Sequence, residues 1–529
     1  MSKNTANIAF LFIFVFATVL RFYHINNYGI FGDEKQGIMV AVGNVNIGGK
    51  KALMAPDKTF TPRDFWQPKT IADLLDANAR GDTSGNATVH LITMNIFGHL
   101  FGHSDGALRS VSAIYNLLTI VFIFLIGRNI FKNDKIALIA AFLVAIEPFY
   151  IIFSQQARFY TTCIFFGTMA SYYFLQIMVN GKSSLKYYVA YTVSIILTIF
   201  SNYLTFTVFL VHGLYWLIAD RTWLKLRSFM VCYGIMAIPF GLWMTKGPGQ
   251  YALLYIKDAT NLYNSILKNP KLAASYQGFI DLASAKNLFA RGTSIVSDYF
   301  IFTNGWYEKF GNKVAVILVI VFLLLVTFVI LQKAKKVDYQ LFVFVGLIVF
   351  IPFVFSVVSA YKAGVMTGFY FRYTSFGLPF VSILMAWFLV KMFENHKILL
   401  AGFAVILLMQ LYSFARIIKH FYADGQQKYT SSHNRGANPY IIVADKIKSM
   451  YMPGDTIVYP SVYANGFSKA IDRPKGEFDN HDAQLVNLYL PEDATYIQRI
   501  AFEETDRVLL KRNGQTIILF NFEGMKYRY

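Results

Sequence analysis

Eleven runs of apolar residues, most of them close to the length needed to cross a bilayer, constrain this chain more than any other feature. They lie near 8–23, 108–127, 136–153, 162–179, 187–203, 205–219, 228–244, 313–331, 339–360, 374–391 and 398–415. A bilayer core takes about 20 apolar residues of helix, and only a helix or a closed barrel satisfies its backbone there. The expected fold is therefore an α-helical polytopic membrane protein of about eleven transmembrane helices. The run at 205–219 is short and the one most prone to merge with its neighbour. Composition agrees: 55% of the 529 residues are hydrophobic and 15% charged, against about 25% charged in soluble domains. The first run ends in Arg21-Phe22-Tyr23-His24 with no small-residue cleavage site, so it reads as an uncleaved span.

Charge sets the orientation. Lys and Arg outnumber Asp and Glu by 49 to 30. Much of the excess sits in short loops: Arg128, Lys132 and Lys135; Lys182 and Lys186; Arg221, Lys225 and Arg227; Lys333, Lys335 and Lys336; Lys391 and Lys397. With eleven spans all five loops share one side, which the positive-inside rule makes cytoplasmic. The basic excess thus reads as contact with membrane lipids, and no nucleic acid is expected. Both cysteines, Cys163 and Cys232, lie inside apolar runs and form no metal or disulfide motif.

The same count places three polar segments outside: 24–106, 245–312 and the tail. The tail opens with helical character at Tyr440 to Met450, then strand-like Thr456 to Tyr459. Two further strand-like runs flank Asn513-Gly514, a hairpin signal. Two parts are expected: a membrane domain at 1–415 with its outer loops, and a small α/β extracytoplasmic domain at 416–529.

Four constellations can carry chemistry. Asp33 and Glu34 lie about ten residues beyond the first span, among Gly29, Gly32 and Gly37. They form either a solvated acidic turn or a general base held near the headgroups. Ser154-Gln155-Gln156-Ala157-Arg158-Phe159-Tyr160 ends the third span; an arginine on that side is a snorkelling cation or a phosphate site. Arg372 and Tyr373 enter the tenth span in the same manner. His90 heads an amphipathic stretch to Leu100, structural or orienting.

In this order the pieces resemble the GT-C superfamily of lipid-dependent glycosyltransferases. The branch is that of the protein O-mannosyltransferases and the lipid A aminoarabinose transferase, with their bacterial dolichyl-phosphate-mannose mannosyltransferase-like relatives. The likeness rests on Asp33-Glu34, on Phe101 to Arg109 before the second span, on Ser154 to Tyr160, on Arg372-Tyr373 and on the C-terminal domain. It is good to about residue 200 and loose beyond. Asn86-Ala87-Thr88-Val89-His90 departs from the His-Pro-Pro-Leu-Tyr often found there, and Gln156 stands where relatives are frequently acidic.

The resemblance implies a sugar donor carried on polyprenyl phosphate and a glycan, lipid or protein acceptor. It also implies a site on the extracytoplasmic face of the cytoplasmic membrane and attack that inverts the anomeric carbon. A polyprenyl phosphate leaves as an anion, so the enzyme needs a base for the acceptor hydroxyl and cations for the phosphate. Asp33 is the expected base and Glu34 a second carboxylate. Arg158 and Arg372 are the phosphate ligands, with Tyr160, Tyr373, Gln156, Lys35 and His90 beside them. No cofactor is indicated. A divalent metal stays open as the mark of an alternative, an oligosaccharide transferase or glycan polymerase. A second alternative, a transporter or flippase, wants charge at mid-membrane, where these spans carry almost none. A reporter active only in the cytoplasm, fused after Tyr529, is expected to stay silent; a strong signal refutes the odd span count.

Overall fold

The computed structural model describes residues 2–524 except 28, 31, 45–46, 49–53, 55–57, 81–84, 270, 272–280, 396, 425–427, 430–435, 462–477, 502–503 and 505. Every one of the eleven apolar runs lies in helix. Among the described residues seven helices are long and apolar enough to cross a membrane: Lys3–Phe22, Asp105–Asn129, Trp223–Lys246, Trp306–Lys333, Asp338–Ala363, Phe371–Glu394 and Ala404–Ala423. An eighth span is counted if Asp134–Ile146 and Pro148–Ser154, bent by 57°, form one. The others are shorter or more polar. Leu185–Ser201 has 17 residues, about 25 Å at 1.5 Å per residue, less than a 30 Å hydrocarbon core. Tyr160–Met178 is long enough but dilutes its apolar residues with hydroxyl side chains.

The bend at 146–148 has a physical cause. Glu147 and Pro148 interrupt the helix, and Pro148 at the start of the next one has no N–H to give. The carbonyls of Val144 and Ala145 then lose their helical donors. The fully buried Arg21 guanidinium, from the end of the first helix, supplies them at 3.0 and 2.8 Å. Arg21 also donates to Ala17 O at 3.1 Å and to the Asn116 side chain at 2.5 Å. A cation at a helix C-terminus meets the dipole favourably.

At one end of the bundle the tail forms a four-stranded sheet. Its order is Ile497–Ala501, Thr456–Pro460, Arg507–Arg512, Gln515–Asn521, with only the first pair parallel. Asn513 and Gly514 turn the last hairpin with positive φ of 47° and 79°, as expected. The last bundle helix runs on to Asp424, because its final turns are amphipathic rather than broken.

The tail does not stand apart. One hydrophobic cluster joins Ile38, Met39 and Phe60 of the first loop, Leu91 and Met94 of the Thr88–Phe101 helix, and Tyr440, Ile457 and Leu510 of the tail. Phe60 exchanges backbone hydrogen bonds with Gln498 at the sheet edge, at 3.0 and 2.9 Å. The first loop and the tail therefore share a core.

Arg21→Ala should lower unfolding stability by about 3 kcal/mol, since several buried acceptors lose their donor at once. Arg21→Lys should recover only part, having charge without the fork. Thermal unfolding of the detergent-purified protein reads both; an unchanged midpoint in Arg21→Ala removes the capping role.

Candidate active site

The acidic pair lies on a helix, Gly32–Ala41, rather than in a solvated turn. Glu34 is completely buried, and its carboxylate meets the buried Arg109 guanidinium in two bonds of 2.9 and 3.1 Å. Arg109 also donates to Ile25 O and Gly29 O, both at 3.0 Å. Glu34 accepts from the Ala157 backbone N–H at 2.8 Å. One ion pair thereby ties the acidic helix to the second span and to the loop before Tyr160–Met178. Gly29 comes so close to the tail that an added Cβ would lie 2.9 Å from Gly436 O; only glycine fits there. The side chain of Asp33 lies outside the described residues. Its backbone is placed by its neighbour Glu34.

Lys35 turns the other way. It is buried, and its ammonium donates to the Tyr440 hydroxyl at 2.9 Å, which donates to Asp482 at 3.2 Å. Asn438 and Tyr489 of the tail bond to Asp105 at the start of the second span. The acidic helix is thus gripped from the bundle by Glu34 and from the tail by Lys35.

The two arginines read from the sequence converge. Arg158 and Arg372 are 214 positions apart, yet their guanidinium carbons lie 5.9 and 5.6 Å from the same Tyr160 ring. Arg158 also faces Phe159 at 5.1 Å, and Arg372 faces Tyr370 and Tyr373, both at 5.1 Å. Cations over aromatic faces are attracted by the ring quadrupole and so held in place. The short Phe371–Thr374 helix fixes Arg372. Tyr299 donates to its Thr374 carbonyl, and Phe371 stacks on Tyr429 at 5.2 Å. Tyr160, Arg372 and Tyr373 line a small cavity with Phe159, Cys163 and Asn202.

The remaining residues fall around this pair. Gln156 is buried, and its backbone carbonyl accepts from the Arg158 N–H at 2.7 Å. His90 hydrogen-bonds Thr162 at 2.8 Å. Burial, and next the charge of Arg158, push its imidazole down to about 3, so it is neutral at physiological pH and brings no positive charge to a phosphate. Two arginines were not singled out from the sequence for the work they do here. Arg109 stood only within the run Phe101 to Arg109 before the second span, with its partner 75 positions away. Arg291 lies 4.7 Å from the Tyr370 ring that Arg372 also faces; it gave no signal, sitting in an amphipathic helix, Ala285–Tyr299. Among the described residues no group of three or more His, Cys, Asp or Glu is arranged to hold a metal ion.

Glu34→Ala strands Arg109 in a buried site, and Arg109→Ala strands Glu34. Each should cost about 3–5 kcal/mol, while the double variant should cost less than their sum. Thermal unfolding of the four proteins forms the cycle; strict additivity would mean the pair contributes nothing as a pair.

Comparison with known proteins bears on this arrangement. A family model described as dolichyl-phosphate-mannose-protein mannosyltransferase matches residues 86–244, a stretch that holds His90, Arg109, Gln156, Arg158 and Tyr160. Among solved structures, ArnT from Cupriavidus metallidurans in the apo state aligns with a TM-score of 0.51 and 11% identity, over 94% of this chain and 86% of that one. The same protein bound to undecaprenyl phosphate aligns with a TM-score of 0.49 and 12% identity, over 92% and 85%. An Archaeoglobus fulgidus oligosaccharyltransferase tethered with an acceptor peptide gives 0.49 and 14%, over 93% of this chain and 64% of that one. The curated proteins show no match. The likeness to apo ArnT, taken with the helical bundle and the C-terminal sheet, shows a GT-C fold.

Proposed function

We propose that this chain is a membrane glycosyltransferase that moves a sugar from a polyprenyl-phosphate carrier to an acceptor hydroxyl on the non-cytoplasmic face, with Asp33 as general base. The observation that carries the reading is the junction at Ala157. Its N–H binds Glu34 at 2.8 Å, so the residue before Glu34 and the residue after Ala157 lie on the two sides of one hydrogen bond. Those residues are Asp33 and Arg158. The backbone that carries Asp33 and the segment that carries Arg158 are thereby joined.

The chemistry needs both. Asp33 accepts the proton of the acceptor hydroxyl as its oxygen bonds to the anomeric carbon. The bond from that carbon to the phosphate oxygen breaks, and the phosphate leaves as an anion needing no acid. Arg158 and Arg372 stabilise that charge through charge-assisted hydrogen bonds. Tyr160 and Tyr373 hold the arginines and offer hydroxyl donors. Gln156 shapes the Arg158 loop, His90 orients it as a neutral group, and Glu34 and Lys35 position Asp33 from either side. The family description of the 86–244 match, a dolichyl-phosphate-mannose enzyme, supports a lipid-phosphate donor.

Transfer of a preassembled oligosaccharide is the second reading. Chelators separate the two, because transfer through arginines alone should survive metal removal.

Asp33→Asn should reduce transfer by about 10²–10⁴-fold, with insertion and binding of polyprenyl phosphate retained. Arg158→Ala or Arg372→Ala should weaken donor binding by about ten- to a hundredfold. The assay is release of polyprenyl phosphate from a polyprenyl-phosphate sugar by the purified chain, alongside mass spectrometry of surface glycans and lipids from a deletion strain. Near-normal turnover in all three variants would falsify the proposal.

A further inference from the structure

Two pairs of adjacent residues, far apart in the sequence, close on the short helix that carries Arg372. Asp298 and Tyr299 end the Ala285–Tyr299 helix. Lys428 and Tyr429 lie just beyond the last bundle helix, which ends at Asp424. The first members of the two pairs meet each other: the Lys428 ammonium donates to the Asp298 carboxylate at 2.8 Å, and the side chains are 15% and 5% exposed. The second members meet the Phe371–Thr374 helix. Tyr299 donates to Thr374 O, and Tyr429 stacks on Phe371, the residue before Arg372, at 5.2 Å.

The ion pair is tied into its surroundings. Asp298 also accepts from the Gly305 N–H at 2.9 Å, and Lys428 donates to the Asn304 side chain at 2.9 Å. Asn304 donates in turn to the Tyr429 hydroxyl at 3.0 Å, so one side chain fixes both the cation and the ring. Phe149 closes the group, edge-on to Phe371 at 5.1 Å and to Tyr429 at 5.4 Å. A helix of four residues does not hold its own shape, so its neighbours must hold it. A buried ion pair holds firmly, because opening it leaves a charge uncompensated away from water.

We propose that Lys428 is a positioning residue for Arg372. Its ion pair with Asp298 clamps Tyr299 and Tyr429 onto the Phe371–Thr374 helix, and the clamp keeps the Arg372 guanidinium against the Tyr160 and Tyr373 rings, at 5.6 and 5.1 Å. Lys428 is not among the residues lining the cavity beside Arg372, so it acts through that arginine. The consequence for phosphate binding rests on the function proposed above; the placement of Arg372 does not.

Labelling of the detergent-purified full chain with phenylglyoxal, read by peptide mass spectrometry, reports how firmly each arginine is held. Lys428→Met should speed labelling of Arg372 by about fivefold, the weight of one cation–π contact, and leave Arg158 unchanged. Asp298→Asn combined with Lys428→Met strands no charge, so this second protein should fold and show the same increase. In both, the KM for a polyprenyl-phosphate sugar should rise by about tenfold, the lower limit for one charge-assisted hydrogen bond, and by more than kcat falls. Lys428→Met should add nothing to this in an Arg372→Ala background and its full effect in an Arg158→Ala background. Lys448→Met, which opens an exposed ion pair with Asp445, should change none of these readings. Unchanged Arg372 labelling in the double variant overturns the proposal. So does an equal rise at Arg158, the mark of general loosening, or a full further loss in the Arg372→Ala background. Faster Arg372 labelling, with the donor KM unmoved in Arg372→Ala itself, upholds the positioning and sinks the phosphate reading instead.

Discussion

The Glu34–Arg109 ion pair is buried at both ends, and the geometry of the candidate site hangs from it. A buried pair costs several kcal/mol per ion in lost hydration and is tolerated only when every lone pair and proton is used. Here they are shared out among separate pieces of chain. Arg109 takes the carboxylate and two carbonyls just beyond the first helix, and Glu34 takes the Ala157 N–H besides. Each piece so gathered adjoins a candidate functional residue: Asp33 beside Glu34, and Arg158 beside Ala157. The pair acts as a rivet through three segments that nothing local would bring together.

The tail domain answers the same need from the opposite side. It shares a hydrophobic core with the first loop, completes its sheet edge with Phe60, and reaches Lys35 through Tyr440 and Asp482. A helix as short as Gly32–Ala41 does not hold itself in water. Here it is held between the bundle, through Glu34, and the sheet, through Lys35. The domain therefore contributes scaffold to the site, whatever else it binds.

The arginine pair shows a third economy of design. Two guanidiniums near each other repel, and the repulsion grows as water is removed. Placing both against one tyrosine ring, with further aromatics behind each, compensates through cation–π attraction.

Much of this was legible in the sequence because it depends on local pattern. Hydropathy located every helix of the bundle, Asn513-Gly514 marked its hairpin, and Arg158 and Arg372 stood out as cations at helix ends where cations are scarce. Span lengths were less legible, since polar residues such as those of Tyr160–Met178 are tolerated once neighbours bury them. Tertiary structure alone decided the partners. Adjacent Glu34 and Lys35 look alike in sequence, both charged and both within two residues of Asp33, yet one binds 75 positions away and the other 405. Apolar periodicity is written residue by residue, whereas the partner of a buried charge is set by which distant segment the finished core brings within 3 Å.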